Sequence, residues 1–136
     1  MDIKRELKFR AKTIEGIWVY GYYFYSELED KHYIAGESKY YDFQMMEVKK
    51  ETVGQYTGIK DKNGKEIYEG DIATQHKLRA EHLGEKNFEI IYYQDECGFE
   101  IATLSEDRKE RYLTPLHKTI EIEVIGNIYE NANLLK

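Results

Sequence analysis

The sequence contains few of the residues that cross-link or interrupt a small protein: one cysteine and one proline in 136 residues. Because Cys97 has no second cysteine to pair with, an internal disulfide is excluded, and a reducing compartment is expected. No uninterrupted apolar run approaches the length of a membrane span, and the charged N-terminus lacks the apolar centre of a signal peptide. We therefore expect a cytoplasmic protein with no membrane segment, long enough to fold as one domain over residues 1–136.

Positive charge is also in short supply. Lysine and arginine number 20 against 26 acidic residues, which gives a formal net charge of −6 and a pI of about 5.3. Proteins that neutralise many phosphates normally carry a basic surplus, so this balance argues against non-specific nucleic-acid binding. Tyrosine, in contrast, is abundant, with thirteen residues. Its ring packs while its hydroxyl stays hydrated, so it suits half-buried strand faces and protein interfaces.

The N-terminal part of the sequence has the pattern of β-strands. Apolar and basic side chains alternate with a period of two in Leu7, Lys8, Phe9, Arg10 and Ala11. The next stretch, IWVYGYYFYS (17–26), is aromatic and β-branched on both faces, which predicts a strand covered on both sides, with Gly21 as a candidate bulge. A short strand with a turn at Gly36 is expected to follow. YYDFQMMEV (40–48) then predicts a further strand, with a helix as the alternative.

The central stretch QYTGIKDKNGKEIYEGDI (55–72) is rich in turn residues. The pair Asn63-Gly64 predicts a hairpin, because both residue types tolerate the positive φ angles of a tight turn. Gly70 predicts a second change of direction, and the carboxylate of Asp71 is expected to accept backbone N–H bonds that fix this corner. Structural roles are therefore predicted for Tyr56, Gly58, Asp61, Asn63, Gly64, Tyr68, Gly70 and Asp71.

The C-terminal half contains three further strand candidates, at 88–93, 99–104 and 120–124, the last with strict alternation of apolar and acidic residues. The hydrophilic Gln75–Lys86 segment is either a long hairpin tip or a short helix that ends at Gly84. One or two helical turns are predicted at 105–113, and one more in the C-terminal tail. These patterns indicate a mainly β fold of the small barrel or sandwich type.

No motif in the sequence carries recognisable catalytic chemistry. The glycines fit neither a dinucleotide-binding nor a phosphate-binding loop, and Gly64-Lys65 is followed by Glu66 instead of a hydroxyl residue. The four histidines lack the spacing of a metal site, and Cys97 lies between acids that disfavour its thiolate. We therefore predict no catalytic residue, no metal site and no cofactor.

One cluster has the composition of a nucleic-acid platform. Basic residues lie close in sequence to an aromatic strand, in the set Lys4, Arg5, Lys8, Arg10, Lys12 and Trp18. Cations interleaved with aromatic rings bind single-stranded nucleic acids. The alternative, which the acidic total favours, is that these cations form the solvent face of an edge strand.

The central stretch closely resembles the signature of the YopX-like family of bacteriophage and prophage proteins. KFRA (8–11) and VIGNIYEN (124–131) resemble the opening and closing stretches of the same family, so the resemblance spans the whole chain. It departs from the family pattern at Lys12-Thr13 and at Ala132, and residues 75–86 match nothing in it.

The resemblance implies a mostly β fold with a small SH3-like barrel and a phage or prophage origin, and it brings no enzyme activity. We expect an N-terminal β segment at 1–52 and the SH3-like portion, built from central and C-terminal strands, at 53–136. The leading hypothesis is a non-catalytic protein–protein interaction module that forms a homo-oligomer, or binds a host or phage protein, through its tyrosine-rich strands and open edges. Nucleic-acid binding through a basic and aromatic barrel face is the alternative.

Overall fold

A computed structural model describes residues 6–40, 42–75, 87–104, 110–117 and 121–135. These residues form β-strands and single 3-10 turns without an α-helix, so the mainly β prediction is confirmed. The strands are β1 (Phe9–Lys12), β2 (Trp18–Ser26), β3 (Lys31–Ser38), β4 (Gln44–Val48), β5 (Gly54–Lys60), β6 (Glu66–Tyr68), β7 (Asp71–Gln75), β8 (Phe88–Tyr93), β9 (Gly98–Leu104), β10 (Arg111–Pro115) and β11 (Ile122–Asn127). The 3-10 turns are Lys50–Thr52, Gln94–Glu96 and Ala132–Leu135.

The strands form two antiparallel sheets. The first has the order β4-β3-β2-β1-β5-β6 and the second the order β10-β9-β8-β7-β11. The strands in the described ranges do not close into a barrel, so the SH3-like barrel stays a prediction. In the part of the chain that the structure describes, no helix has the length and apolar character needed to cross a membrane.

The chain divides into two compact units, Met1–Gly58 and Ile59–Lys136. In the first unit the inward side chains of β1 to β4 form a core of Ala11, Val19, Ile34, Met46 and Val48. The sheet curls around this core, because Thr13 bridges Val48 and the Lys49 N–H donates to the Lys12 carbonyl at 2.8 Å. The second unit has a separate core, formed by Ile67, Ala73, Phe88, Ile90, Ile101, Ile122 and Val124.

Two glycines face each other where β2 and β3 pair inside the curled sheet. Gly21 and Gly36 are directly opposite, and a Cβ added to Gly36 would lie 1.8 Å from the Tyr20 carbonyl oxygen. A Cβ added to Gly21, whose φ is +155°, would lie 2.2 Å from the Ala35 carbonyl oxygen. Only glycine fits this approach of two backbones.

Several local predictions are wrong. The β2–β3 register continues through Gly21 without a bulge, and Gly36 lies within β3 instead of in a turn. Residues 111–113 belong to β10 and are not helical, because β9 supplies their hydrogen-bond partners. Residues 105–109, and the choice between hairpin and helix at 76–86, lie outside the described residues.

The hairpin at Asn63-Gly64, the change of direction at Gly70 and the turn in the C-terminal tail are confirmed. The predicted boundary after residue 52 stays a prediction.

Candidate functional site

The alternation of β2 separates two faces of the first sheet. Val19 points into the core, so Trp18, Tyr20, Tyr22 and Phe24 lie on the opposite, outer face. Residues paired directly across antiparallel strands share a face. The register therefore extends the outer face to Tyr33 on β3 and to Met45 and Glu47 on β4.

The outer face exposes a group of large apolar side chains. The exposed fraction is 66% for Tyr22 and 58% for Met45. Phe43 lies two residues before Met45, so the alternation of β4 places it on the same face, and it is also 66% exposed. Phe24 stacks on Tyr33 with a ring-centroid distance of 5.3 Å. We call the set Tyr20, Tyr22, Phe24, Tyr33, Phe43 and Met45 the aromatic face. Contiguous exposed apolar side chains of this kind mark binding surfaces more often than scattered ones do.

Basic residues border the aromatic face on the β1 side. Arg10 pairs with Tyr20 and Lys12 with Trp18. The Trp18 ring lies 4.8 Å from the Arg10 guanidinium carbon and 5.5 Å from the Lys12 ammonium nitrogen. Arg10 is only 6% exposed, and its guanidinium lies within cation–π distance of the tryptophan ring. The ammonium group of Lys8 lies 5.7 Å from the Tyr56 ring and 3.4 Å from Glu6.

The structure thus brings four of the six predicted basic and aromatic residues to one side of the sheet: Lys8, Arg10, Lys12 and Trp18. Lys4 and Arg5 lie outside the described residues.

Carboxylates border the aromatic face on the opposite side. Glu37 is exposed and pairs with Tyr20, and Glu47 lies 3.6 Å from the Lys31 ammonium. The Tyr33 hydroxyl donates to Glu29 Oε2 at 2.6 Å. This hydrogen bond, together with partial burial and the charges of Glu29 and Glu47, raises the pKa of Tyr33 to about 12. The aromatic face therefore has a cationic flank on β1 and an anionic flank on β3 and β4.

The contributions of Phe43, Met45 and Tyr33 to this face were not predicted from the sequence. The alternation of YYDFQMMEV contained a signal, since Phe43, Met45 and Glu47 are spaced by two. Whether these residues lie on the same face as Tyr20, Tyr22 and Phe24 depends on how β3 pairs with its neighbouring strands. No local sequence pattern specifies that register.

Residues 59–72 of the central stretch, which belong to the second unit, form a separate, structural site. Asp61 Oδ1 accepts the N–H groups of Asn63 and Lys65 at 2.8 and 2.9 Å, while Asp61 Oδ2 accepts the N–H of Val124 at 3.0 Å. Burial raises the pKa of Asp61, but these three donors and the Lys65 charge outweigh that effect and hold the pKa below its ordinary value. Asp61 therefore ties the hairpin to edge strand β11.

The second corner is held in a similar way. Asp71 is 1% exposed, and its Oδ2 accepts the Tyr68 N–H at 2.8 Å, which is the type of contact expected at this corner. Gly70, with φ +86°, donates its N–H to the Ile90 carbonyl and accepts the Ile128 N–H, both at 2.8 Å. Gly58 and Gly64 also have positive φ, whereas Asn63 does not. Tyr56 and Tyr68 are buried, with 5% and 2% of their surface exposed.

None of the residues in the described ranges form a group of three or more histidine, cysteine or acidic side chains suited to a metal ion.

Two antiparallel sheets, an aromatic outer face, and a hairpin and a corner held by buried aspartates define a small all-β protein. The YopX protein family model matches residues 8–136, nearly the whole chain, and the chain belongs to that family. It is also similar to the crystal structure of protein EF1440 from Enterococcus faecalis, with a TM-score of 0.52 and 22% identity over 98% of this chain and 100% of that one. At this identity the similarity concerns the fold alone. No curated protein sequence matches the chain.

Proposed function

We propose that this protein is a phage- or prophage-encoded accessory protein that acts without catalysis, through protein–protein contact, in the cytoplasm of its host. The observation that carries the contact is the aromatic face, where Tyr22, Phe43 and Met45 are each more than half exposed. The YopX family membership and its resemblance to phage proteins support the accessory role. The single cysteine, which is free and exposed, is compatible with a reducing compartment.

The occupant of the aromatic face that we propose is a second copy of the chain. The flanks of the face have opposite charge, with Lys8 and Lys12 on β1 and Glu37 and Glu47 on β3 and β4. A two-fold axis parallel to β2 places the cationic flank of one copy against the anionic flank of the other. The apolar side chains of the two copies then meet in the centre of the contact.

Sedimentation velocity over a wide range of protein concentration tests this proposal. We expect the unmodified protein to associate, and the double variant Tyr22→Ser/Met45→Ser to raise the dissociation constant at least about tenfold, as expected for loss of central apolar contacts. Tyr112→Ser is the matched control, because Tyr112 is similarly exposed, at 54%, but lies on β10 of the second unit. A strict monomer at high concentration would overturn the second-copy proposal.

Nucleic-acid binding is the second candidate, and the contact of Lys12 and Arg10 with Trp18 favours it. Tyr20 and Tyr22 continue this aromatic row, which resembles a stacking platform for single-stranded bases. Fluorescence anisotropy with a labelled single-stranded oligonucleotide would detect such binding, which should weaken as salt rises and in Lys12→Glu. No binding at low salt would remove this candidate.

We also retain the SH3-like barrel as a proposal for the central and C-terminal strands. Its support is the connection between the β5–β6 hairpin and β11, where the Lys62 N–H donates to the Ile122 carbonyl at 2.9 Å. An experimental structure in which backbone hydrogen bonds complete the circuit of strands would establish it, and an open sheet edge there would contradict it.

A further inference from the structure

The hairpin between β5 and β6 contains the dipeptide Asn63-Gly64, a sequence in which asparagine loses its side-chain amide readily. Glycine has no side chain to shield its backbone nitrogen, so this nitrogen can approach the side-chain carbonyl carbon of the asparagine before it. Both residues are exposed to solvent. The sequence contains no other Asn-Gly pair, so this hairpin is where such a reaction would be concentrated.

The reaction requires only water. The Gly64 amide nitrogen loses its proton to the solvent and attacks Asn63 Cγ, ammonia leaves from Cγ, and a cyclic succinimide forms. Water then opens the ring. Attack at Cγ leaves an aspartate, whereas attack at the main-chain carbonyl carbon leaves an isoaspartate, in which the chain continues through the side chain. The net change consumes water and releases ammonia, without oxidation or reduction.

The folded hairpin opposes the attack, because its backbone N–H groups are already engaged. The attacking nitrogen, that of Gly64, donates to the Asp61 carbonyl at 3.0 Å. It cannot turn toward Asn63 Cγ without disturbing a turn in which each backbone N–H from residue 61 to residue 65 is a donor. The acceptors are the Lys65 carbonyl for Asp61, the Ile122 carbonyl for Lys62, Asp61 Oδ1 for Asn63 and Lys65, and the Asp61 carbonyl for Gly64.

The Asn63 side chain is held as well. Its Nδ2 donates to Glu123 Oε1 at 3.3 Å, which directs the amide group toward β11. Beside it, Asp61 Oδ2 accepts the Val124 N–H at 3.0 Å. The contacts that join the hairpin to β11 therefore also restrain the reacting groups. Deamidation requires this part of the molecule to open, and a reaction that requires local opening is slowed by the rarity of the open state.

The product works against closure of the hairpin. A carboxylate at position 63 would face Glu123 Oε1 in place of the amide group that donates to it, so a hydrogen bond becomes a repulsion between like charges. Isoaspartate also adds a methylene group to the main chain. This insertion displaces the N–H groups of Gly64 and Lys65 from their acceptors on Asp61.

We propose that Asn63 is a deamidation site controlled by the fold. The hairpin suppresses the reaction while it is bound to β11, and the product keeps the hairpin from binding β11 as tightly again. Because the released ammonia is lost to the solvent, the modification accumulates with the time that the hairpin spends open. It is a chemical record of local opening, independent of the proposed self-association.

Peptide mapping by mass spectrometry, with chromatographic separation of the aspartate and isoaspartate products, measures the rate in the full chain. The folded protein and the same chain in concentrated urea are incubated in the same mildly alkaline buffer. We expect Asn63 to deamidate at least about tenfold more slowly in the folded protein, because several hydrogen bonds must open first. Equal rates in the two states would overturn the proposal.

Variants assign the suppression to particular contacts. Asp61→Ala, which removes the acceptor of three backbone N–H groups, should accelerate deamidation of the folded protein about fivefold or more. Glu123→Ala releases only the Asn63 side chain and should accelerate it about twofold, so it carries the test if Asp61→Ala does not fold. Glu51→Ala, at an exposed position in the first unit, is the control and should leave the rate unchanged. A folded Glu123→Ala variant that reacts no faster would contradict control by these contacts.

The deamidated protein tests the effect on closure. Anion-exchange chromatography separates it, because it carries an additional negative charge. Amide hydrogen exchange of Val124, followed by NMR, should be several-fold faster in the isoaspartate form than in the unmodified protein, since the Asp61 carboxylate no longer holds this N–H as tightly. Unchanged protection of Val124 would show that the product does not loosen the hairpin from β11, against the proposal.

Discussion

Asp61 shows how much a single side chain contributes when both of its oxygens are used. Three backbone N–H groups donate to it, two from its own hairpin and one from Val124, 63 residues further along the chain. Hydrogen bonds to a buried charged group are stronger than neutral ones, and donors left without an acceptor lose free energy as well.

We predict that Asp61→Ala lowers the free energy of unfolding by about 3 kcal/mol or more, because it leaves these three donors without their acceptor. Asp61→Asn should cost less, because one amide oxygen can retain the donors from Asn63 and Lys65 while its NH₂ group faces the Val124 N–H. Urea denaturation measures both values, as a shift in midpoint at constant slope. Asn63→Ala is the control, because it removes only a 3.3 Å side-chain contact to Glu123 and should cost less than about 1 kcal/mol.

Sequence alone identified part of this role. The Asn63-Gly64 pair and the position of Asp61 beside it predicted the hairpin, since turn chemistry is local. The bond to Val124 had no local signal, because it depends on where β11 lies. The same reason applies to the burial of Glu100, which depends on its neighbours on β8 and β10.

Among the elements, the β2–β3 pair depends on close contact between two backbones at Gly21 and Gly36. Aromatic and β-branched residues predicted β2, and a short strand was expected to follow it, but the glycines suggested a bulge and a turn instead. That interpretation used the general preference of glycine for irregular positions. The curl of the first sheet, which makes glycine necessary here, follows from the long-range bridge between Thr13 and Val48.

We predict that Gly36→Ala destabilises the protein by about 2 kcal/mol or more, because the new methyl group overlaps the Tyr20 carbonyl and forces the strands apart. Gly98→Ala is the matched control in a strand, because its Cβ would meet only the Glu96 carbonyl oxygen, at 3.8 Å. Thermal unfolding of the two variants compares them directly. Equal melting temperatures would mean that the strand pair adapts without cost.

The β10 segment illustrates the limit of local propensity at this scale. SEDRKERYL is hydrophilic and contains good helix formers, so it favours a helix in isolation. In the structure, residues 111–115 complete the hydrogen-bond ladder of β9, and Pro115 is tolerated because β10 is an edge strand. Tertiary pairing therefore overrides the preference of the segment.

For the whole molecule, two carboxyl groups, those of Asp61 and Glu100, impose opposite dependences of stability on pH. Asp61 has a lowered pKa, so its stabilisation is present above the unfolded value of 3.8 and is lost as the pH falls through its folded pKa. Glu100 has a raised pKa, so its stabilisation is present below the unfolded value of 4.5 and is lost as the pH rises toward its folded value of about 7. Both carboxyl groups therefore stabilise the fold in mildly acidic solution, and one of the two contributions is lost on either side of it.

We predict that the free energy of unfolding is greatest at about pH 4 to 5 and decreases toward neutral pH. Because one proton is involved, the folding equilibrium constant should decrease by up to about tenfold per pH unit. Glu100→Gln should flatten the neutral side of the profile and leave the acid side unchanged. Urea titrations at a series of pH values measure the profile. Because the pI is about 5.3, the most stable protein is also the least charged, so these measurements need low protein concentration.

The bond between Asp61 and Val124 also has a consequence for how the chain is made. Protein synthesis proceeds at about 5 to 20 residues per second, so the 63 residues between the two partners take about 3 to 13 seconds to follow Asp61 out of the ribosome. During that interval the hairpin can form, but its carboxylate remains hydrated and edge strand β11 does not yet exist. The second unit therefore completes its fold only after Val124 has been synthesised and β11 can form.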